Sequence, residues 1–168
     1  MDRFNHNLET SERFYPTICT THHYRDRVET VRVVKAAGLE LCSGGLMGMG
    51  EMPKDRVELA FALREAGADS IPVNFLDPRP GTILEGRPRL SAAEGLRILA
   101  MFRLVNPERE LRIAGGREVC LGALQVLALY PANSIFTNGY LTTSGQGYAA
   151  DIAMIEAAGF HVTDMTHA

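Results

Sequence analysis

Lys35-Ala36-Ala37-Gly38-Leu39-Glu40-Leu41-Cys42 is the stretch on which the reading of the fold turns. A glycine just past an alanine-rich helical end takes the left-handed conformation that closes the helix, and the chain then runs directly into a strand. The same joint recurs at Arg64-Glu65-Ala66-Gly67-Ala68-Asp69-Ser70-Ile71 and at Glu156-Ala157-Ala158-Gly159-Phe160-His161-Val162. Gly38 and Gly67 lie about 30 residues apart, the length of one βα unit.

Helices supply the other half of each joint. Residues 25–37 carry Val28, Val31 and Val34, and residues 54–66 carry Val57, Ala60, Phe61 and Leu63, both with amphipathic spacing. Ser91-Ala92-Ala93-Glu94 fits a capping box that opens a third helix bearing Leu96, Leu99, Phe102 and Leu104. A fourth is expected after Arg117, through Leu121, Leu124 and Leu127. Strands are expected at 39–43, 70–75, 111–114 and 133–137, alternating with these helices. Parallel strands need a crossover and helices usually provide it, so the expectation is an α/β fold with a parallel sheet. Four such units make half of an eight-unit barrel or a small open doubly wound sheet. No linker or low-complexity tract divides the chain, so residues 1–168 read as a single domain.

Composition narrows the function classes. The chain is 46% hydrophobic and 22% charged, ordinary for one globular domain. With 17 basic and 20 acidic residues the formal charge is −3, which argues against a nucleic-acid or anionic-membrane partner. The apolar stretch from Leu121 to Tyr130 falls short of the roughly 20 residues a membrane span needs. The opening residues have no apolar core of a secretory signal, so a cytoplasmic location is expected. Cys19, Cys42 and Cys120 are odd in number and form no CxxC pair, which argues against a disulfide framework or a self-sufficient zinc site.

In both candidate folds ligands sit at the carboxyl ends of the strands. Cys42-Ser43-Gly44-Gly45 follows one expected strand, Asn74 ends the next, Gly115-Gly116-Arg117-Glu118 follows the third and Asn138-Gly139 the fourth. The glycine-dense run from Cys42 to Glu51 fits a backbone approaching a ligand or a plain turn, but neither a phosphate loop nor a dinucleotide fingerprint. Cys42 reads as a small buried hydrophobe or, from its place at a strand end, as a reactive or metal-bound thiolate. Cys19 and Cys120 read as packing residues. Asn5-His6-Asn7-Leu8-Glu9-Thr10-Ser11 is dense in hydrogen-bonding groups; its amides suit a urea or amide ligand, and its residue types equally suit a cap and turn. His22-His23 reads as a surface pair. Arg117 fits either a salt bridge or an anion contact.

Taken together, Asn5-His6-Asn7-Leu8-Glu9-Thr10, Cys42-Ser43-Gly44-Gly45 with Gly48-Met49-Gly50-Glu51, Ile71-Pro72-Val73-Asn74, Gly115-Gly116-Arg117-Glu118 and Ala132-Asn133-Ser134-Ile135-Phe136, ending in Leu141-Thr142-Thr143, resemble the biotin synthase family in order and spacing. The resemblance runs from Arg3 to about Val162. It implies the carboxyl-terminal half of a (β/α)₈ TIM-type barrel, roughly strands 5–8 plus the end of strand 4. It also implies radical S-adenosylmethionine (SAM) chemistry that inserts sulfur into dethiobiotin to give biotin, with a [4Fe-4S] cluster cleaving S-adenosylmethionine and a [2Fe-2S] cluster supplying sulfur.

By the same resemblance Cys42 and Arg117 are implied as ligands of the [2Fe-2S] cluster. Asn5, Asn7 and Asn74 are implied around the dethiobiotin ring, and Thr142 and Thr143 at its carboxylate. Asn7, Glu9, Arg27, Gly45, Leu46 and Glu51 are implied beside S-adenosylmethionine. The family more usually has Asp at the position of Glu9. Its Cys-x3-Cys-x2-Cys ligands for the [4Fe-4S] cluster do not occur in this chain, so the isolated polypeptide is expected neither to bind that cluster nor to make biotin. A homodimer is implied for the full-length family, and a complementing amino-terminal half is a further expected partner. An open half-barrel is expected to dimerise or aggregate through its strand edges. The alternatives are half of a split enzyme, a non-catalytic remnant, or a radical S-adenosylmethionine maturase.

Overall fold

The structure is a computed structural model that describes residues 3–138 and 145–163. Its helix ends are set by the glycines singled out above. Gly38 and Gly67 sit at φ 75° and 69°. The residue after each, Leu39 or Ala68, returns its N–H to the carbonyl of Val34 or Leu63, at 3.3 and 3.1 Å. This is a Schellman closure, which satisfies a terminal carbonyl and aims the chain back toward the sheet. Gly159, at φ 80°, ends its helix in the same way through Phe160 and Ile155 at 3.1 Å. The third joint departs from expectation beyond that point, because residues 161–163 are not in a strand.

In chain order the elements are β1 (Arg3–Asn5), α1 (Tyr24–Ala36), β2 (Glu40–Cys42), β3 (Gly45–Met47), α2 (Pro53–Glu65), β4 (Ser70–Phe75), α3 (Ala92–Val105), β5 (Glu110–Ile113), α4 (Arg117–Leu121), β6 (Ser134–Ile135) and α5 (Tyr148–Ala157), with 3₁₀ turns at Tyr15–Thr17 and Gly122–Leu129. Polar side chains start the first three of the helices. The Asp26 carboxylate accepts from His23 N at 2.8 Å, Asp55 from Met52 N at 2.7 Å, and Ser91 Oγ from Glu94 N at 3.3 Å.

Every strand pair is parallel, in the order β1-β2-β4-β5-β6, with β3 running on beside β4. The strand expected at 39–43 is β2 alone, and β3 is a second segment beyond those bounds. They are interrupted at Ser43-Gly44, where the backbone passes so close to β4 that a Cβ on Gly44 would lie 1.9 Å from the Pro72 carbonyl oxygen.

The pleat divides these strands into two faces. Leu41, Ile71, Val73, Leu111 and Ile113 are fully buried and pack with Val31, Leu59, Leu63, Leu99 and Phe102 of the helices. The alternate positions, Asn5, Cys42, Ser70, Pro72, Glu110, Arg112 and Ser134, are joined by register across the other face.

Three expectations about the helices are corrected. The fourth helix stops at Leu121, because Gly122 adopts φ 50° and ψ −132°; Leu124 and Leu127 then follow in a 3₁₀ turn and are exposed. On α2 the buried stripe is Leu59, Ala60 and Leu63, which turns Val57 and Phe61 outward. On α3, Ile98, Leu99 and Phe102 face the sheet, and Leu104 is exposed.

Candidate functional site

Three asparagines and one cysteine gather where β1, β2 and β4 end and β3 begins. Asn5 Nδ2 donates to Cys42 Sγ at 3.2 Å, between residues that are register partners of β1 and β2. Asn7 Oδ1 accepts from Gly44 N at 3.0 Å. Asn74 bridges two glycine segments: its Nδ2 donates to the Gly45 carbonyl at 3.2 Å and its Oδ1 accepts from Gly115 N at 2.9 Å. The Ser43-Gly44 crossing is thus braced by side-chain amides as well as by the backbone bond from Ser43 N to the Ser70 carbonyl at 2.9 Å, and its irregular backbone lies at the strand ends where ligands of parallel folds bind.

Glu9 and Arg27 border the same crossing. Glu9 N donates to the Gly44 carbonyl at 3.1 Å, and the Glu9 carbonyl accepts from Leu46 N at 3.0 Å. Glu9 holds φ 71°, a conformation costly for a residue with a side chain and concentrated at functional positions. Burial pushes its carboxyl above the ordinary range, against the opposing pull of the Arg27 charge and the Asn7 side chain. A carboxyl in that setting can donate as well as accept a hydrogen bond to a hydroxyl. Arg27 reaches the Asn7 carbonyl at 2.9 Å and the Tyr15 hydroxyl at 2.6 Å.

Other residues singled out in the sequence have different settings. Glu51 is buried and ties the glycine run together, accepting from Gly48 N at 2.8 Å, Gly50 N at 3.1 Å and Arg56 Nε at 2.8 Å. Arg117 lies at the start of α4, fully enclosed, with a guanidinium nitrogen 2.9 Å from Asp151 and further contacts of 2.6 Å to Glu118 and Gln125. It pins α5 to α4 and is not in the strand register that links Asn5, Cys42 and Ser70. Thr142, Thr143 and Gly139 lie outside the described residues.

Arg112 escaped the sequence reading. It sits in register with Pro72 and Ser134, two residues beyond Glu110 on the same face, and Cys42 lies in the neighbouring row through Ser70 and Glu110. Its guanidinium contacts Glu110 and Ser134 and lies 5.1 Å from the centre of the Phe136 ring. The signal was present in Leu111-Arg112-Ile113: an arginine between two aliphatic residues that both face the helices must project from the opposite face.

The residues fit only part of an iron-sulfur site. Cys42 is buried on the polar face, and its register partner Ser70 has a buried hydroxyl with no hydrogen-bond partner, so the spot has polar capacity unused by the protein. Among the described residues, however, no three His, Cys, Asp or Glu side chains converge on a point. The chain offers a cluster one thiolate, not a complete ligand set.

Residues 72–161 match the family model of the Biotin and Thiamin Synthesis associated domain. The chain is 58% identical over 160 residues to a biotin synthase of Salinibacter ruber, covering 95% of this chain and 45% of that protein. It is 55% identical over 162 residues to a biotin synthase of Staphylococcus haemolyticus, covering 96% of this chain and 50% of that one. The chain therefore spans about half the length of the curated relatives it matches. Among solved structures, the [FeFe]-hydrogenase maturase HydG superposes with a TM-score of 0.75 at 13% identity, over 95% of this chain and 39% of that one. The HMG-CoA lyase of Brucella melitensis gives 0.59 at 13% identity, over 95% of this chain and 59% of that one. These two likenesses support the fold: parallel strands alternating with helices. No helix among the described residues is long and apolar enough to cross a membrane.

Proposed function

The chain belongs to the family of the Biotin and Thiamin Synthesis associated domain, and on that premise we propose that it forms one wall of a biotin synthase-type site for radical S-adenosylmethionine sulfur insertion into dethiobiotin. The observation that carries this reading is the crossing at Cys42, Gly44 and Gly45, each held by a different asparagine: Asn5, Asn7 and Asn74. Primary amides present a donor and an acceptor side by side, which suits the paired N–H and C=O groups of a ureido ring.

In this reading Asn5 and Asn74 orient dethiobiotin, and Thr142 and Thr143 receive its carboxylate. Asn7 and Glu9 face the ribose of S-adenosylmethionine, Arg27 offers its planar fork to the methionine carboxylate, and the Gly45-Leu46 backbone with the loop braced by Glu51 flanks the adenine. Cys42 supplies one thiolate to a [2Fe-2S] cluster, the sulfur donor when bound. Where the resemblance implies an arginine beside that cluster, the register favours Arg112 over Arg117, since Arg112 shares the strand face of Cys42. Holding substrate and nucleoside in one fixed cavity is the protein's part of such chemistry, because a carbon radical is selective only by position.

The remaining thiolates, including those of a [4Fe-4S] cluster, would come from polypeptide beyond this sequence, either a complementing half or another section of the same protein. The edge beside β1 suits such a neighbour. Phe4, Val33, Val34, Ala37 and Leu39 line an apolar groove there, and Val33 is 60% exposed. The test is co-expression with the part of the Salinibacter ruber biotin synthase that this chain does not match, in a bacterium lacking its own biotin synthase. Growth without biotin is expected, and it should disappear with Cys42→Ala. No growth while both polypeptides are soluble contradicts the reading.

A further inference from the structure

Arg27 is held by a residue that belongs to none of the motifs. Tyr15 is only 1% exposed, although it lies in the irregular segment between β1 and α1. Its N–H donates to the Ser11 carbonyl at 3.0 Å, and its own carbonyl accepts from Ile18 N at 3.0 Å and Cys19 N at 3.1 Å. Its ring meets that of Tyr24, the first residue of α1, edge to face with 5.6 Å between centres. A phenol fixed at backbone and ring presents its oxygen at one place, and Arg27 Nε, one turn along α1 from Tyr24, donates to it at 2.6 Å. Arginine can only donate, so the oxygen is the acceptor, and the phenol's own proton has a separate partner in His22 Nε2 at 2.7 Å.

The other end of the guanidinium is tied as well. Arg27 Nη1 donates to the Asn7 carbonyl at 2.9 Å, and Asn7 Oδ1 accepts from Gly44 N at 3.0 Å, so the contacts run from an enclosed ring to the glycine crossing. With Nε occupied, a carboxylate can approach only through the two terminal nitrogens, and Nη2 has no hydrogen-bond partner among the described residues.

We propose that Tyr15 is a positioning residue that, through Arg27, sets the preference of the nucleoside site for a ligand bearing a free carboxylate. The proposal rests on the placement of Arg27 beside the methionine carboxylate given above, and adds the residue that orients its guanidinium. A guanidinium fixed before the ligand arrives does not lose rotamer freedom on binding, which favours the ligand that pairs with it. A ligand without a carboxylate makes no such pair, so it gains nothing from the Tyr15 hydroxyl.

The test compares S-adenosylmethionine with its decarboxylated analogue, which lacks only the carboxylate, by equilibrium dialysis under argon without reductant on the co-expressed complex reconstituted with iron and sulfide. The parent should hold S-adenosylmethionine the tighter, and Arg27→Met should remove most of that preference. Tyr15→Phe keeps the ring and should weaken S-adenosylmethionine about tenfold and the analogue less than about twofold, with no added effect in the Arg27→Met background. A preference lost in Arg27→Met but unchanged in Tyr15→Phe overturns the proposal and leaves the placement of Arg27 standing, whereas a preference unchanged in Arg27→Met overturns both. Equal weakening of the two ligands in Tyr15→Phe also overturns it, since the hydroxyl would then serve the fold alone. If Tyr15→Phe fails to fold, NMR of the parent chain decides. The Nε–H proton of Arg27, identified by its loss in Arg27→Lys, should exchange with water at least about tenfold more slowly than that of Arg32, whose side chain is 75% exposed. Exchange at an equal rate overturns the proposal.

Discussion

Two sets of residues alternate along the same strands and do different work. Leu41, Ile71, Val73, Leu111 and Ile113 face the helices and are fully buried. One position away, Asn5, Cys42, Asn74 and Arg112 carry amides, a thiol and a guanidinium, tied to glycine backbone or to each other's strands. The first set holds the sheet to its helices by apolar burial that any aliphatic side chain of similar volume would supply. The second contributes little to that adhesion and depends on particular functional groups. One face can therefore be changed at the expense of stability, and the other at the expense of chemistry.

The helical layer also contains charge, and breaking it there should give the largest loss. Asp151→Ala removes the fully buried carboxylate of the enclosed Arg117, leaving it only the part-exposed Glu118 and Gln125, and about 3 kcal/mol or more of stability should disappear in urea unfolding. The double change Arg117→Met with Asp151→Leu should restore most of it, since no isolated charge is then buried. Ile71→Ala or Leu111→Ala should cost about 2 to 5 kcal/mol by the same measurement, through lost burial and a residual cavity.

Acid sensitivity should separate the two regions in sign. At Asp55, burial pushes the carboxyl up but is outweighed by the Ser11 hydroxyl, the Met52 N–H and Arg13, so its pKa lies below 3.8. The stability it supplies is present above that value and is lost as pH falls through the depressed folded value. Glu9 at the site is raised above 4.5, so its contribution runs the other way, declining as pH rises from that value through the raised one. Urea midpoints against pH should show the acid loss vanish in Asp55→Asn and the higher-pH decline vanish in Glu9→Gln. The smallest effect belongs to the polar face: Asn5→Ala and Cys42→Ser should each stay within about 1 kcal/mol of the parent. A loss as large as that of Ile71→Ala would erase the distinction between the faces.

Much of this division was legible in the sequence. The Gly38 and Gly67 joints were visible because a left-handed helix end needs glycine, and the Ser91 cap because its hydroxyl must meet the Glu94 N–H. The break between β2 and β3 was hidden, since it arises from Gly44 passing the Pro72 carbonyl, a contact between segments distant in sequence. The shortened α4 was hidden as well: Leu121, Leu124 and Leu127 have helical spacing, and only the conformation of Gly122 turns the latter two outward. At the site, the asparagines and Cys42 could be named from their motifs, but not the settings of the two arginines. Arg117 lies beside the conspicuous Gly115-Gly116 pair and projects into the helical layer, whereas Arg112 is hidden in an aliphatic strand whose pleat turns it to the face of Cys42.

That contrast gives the most direct test. In the co-expressed complex reconstituted with iron and sulfide, the visible spectrum of the [2Fe-2S] cluster should shift in Arg112→Met and remain unchanged in the Arg117→Met, Asp151→Leu double variant. A shift confined to the double variant, with Arg112→Met indistinguishable from the parent, would place the chemistry on the helical side and contradict the account.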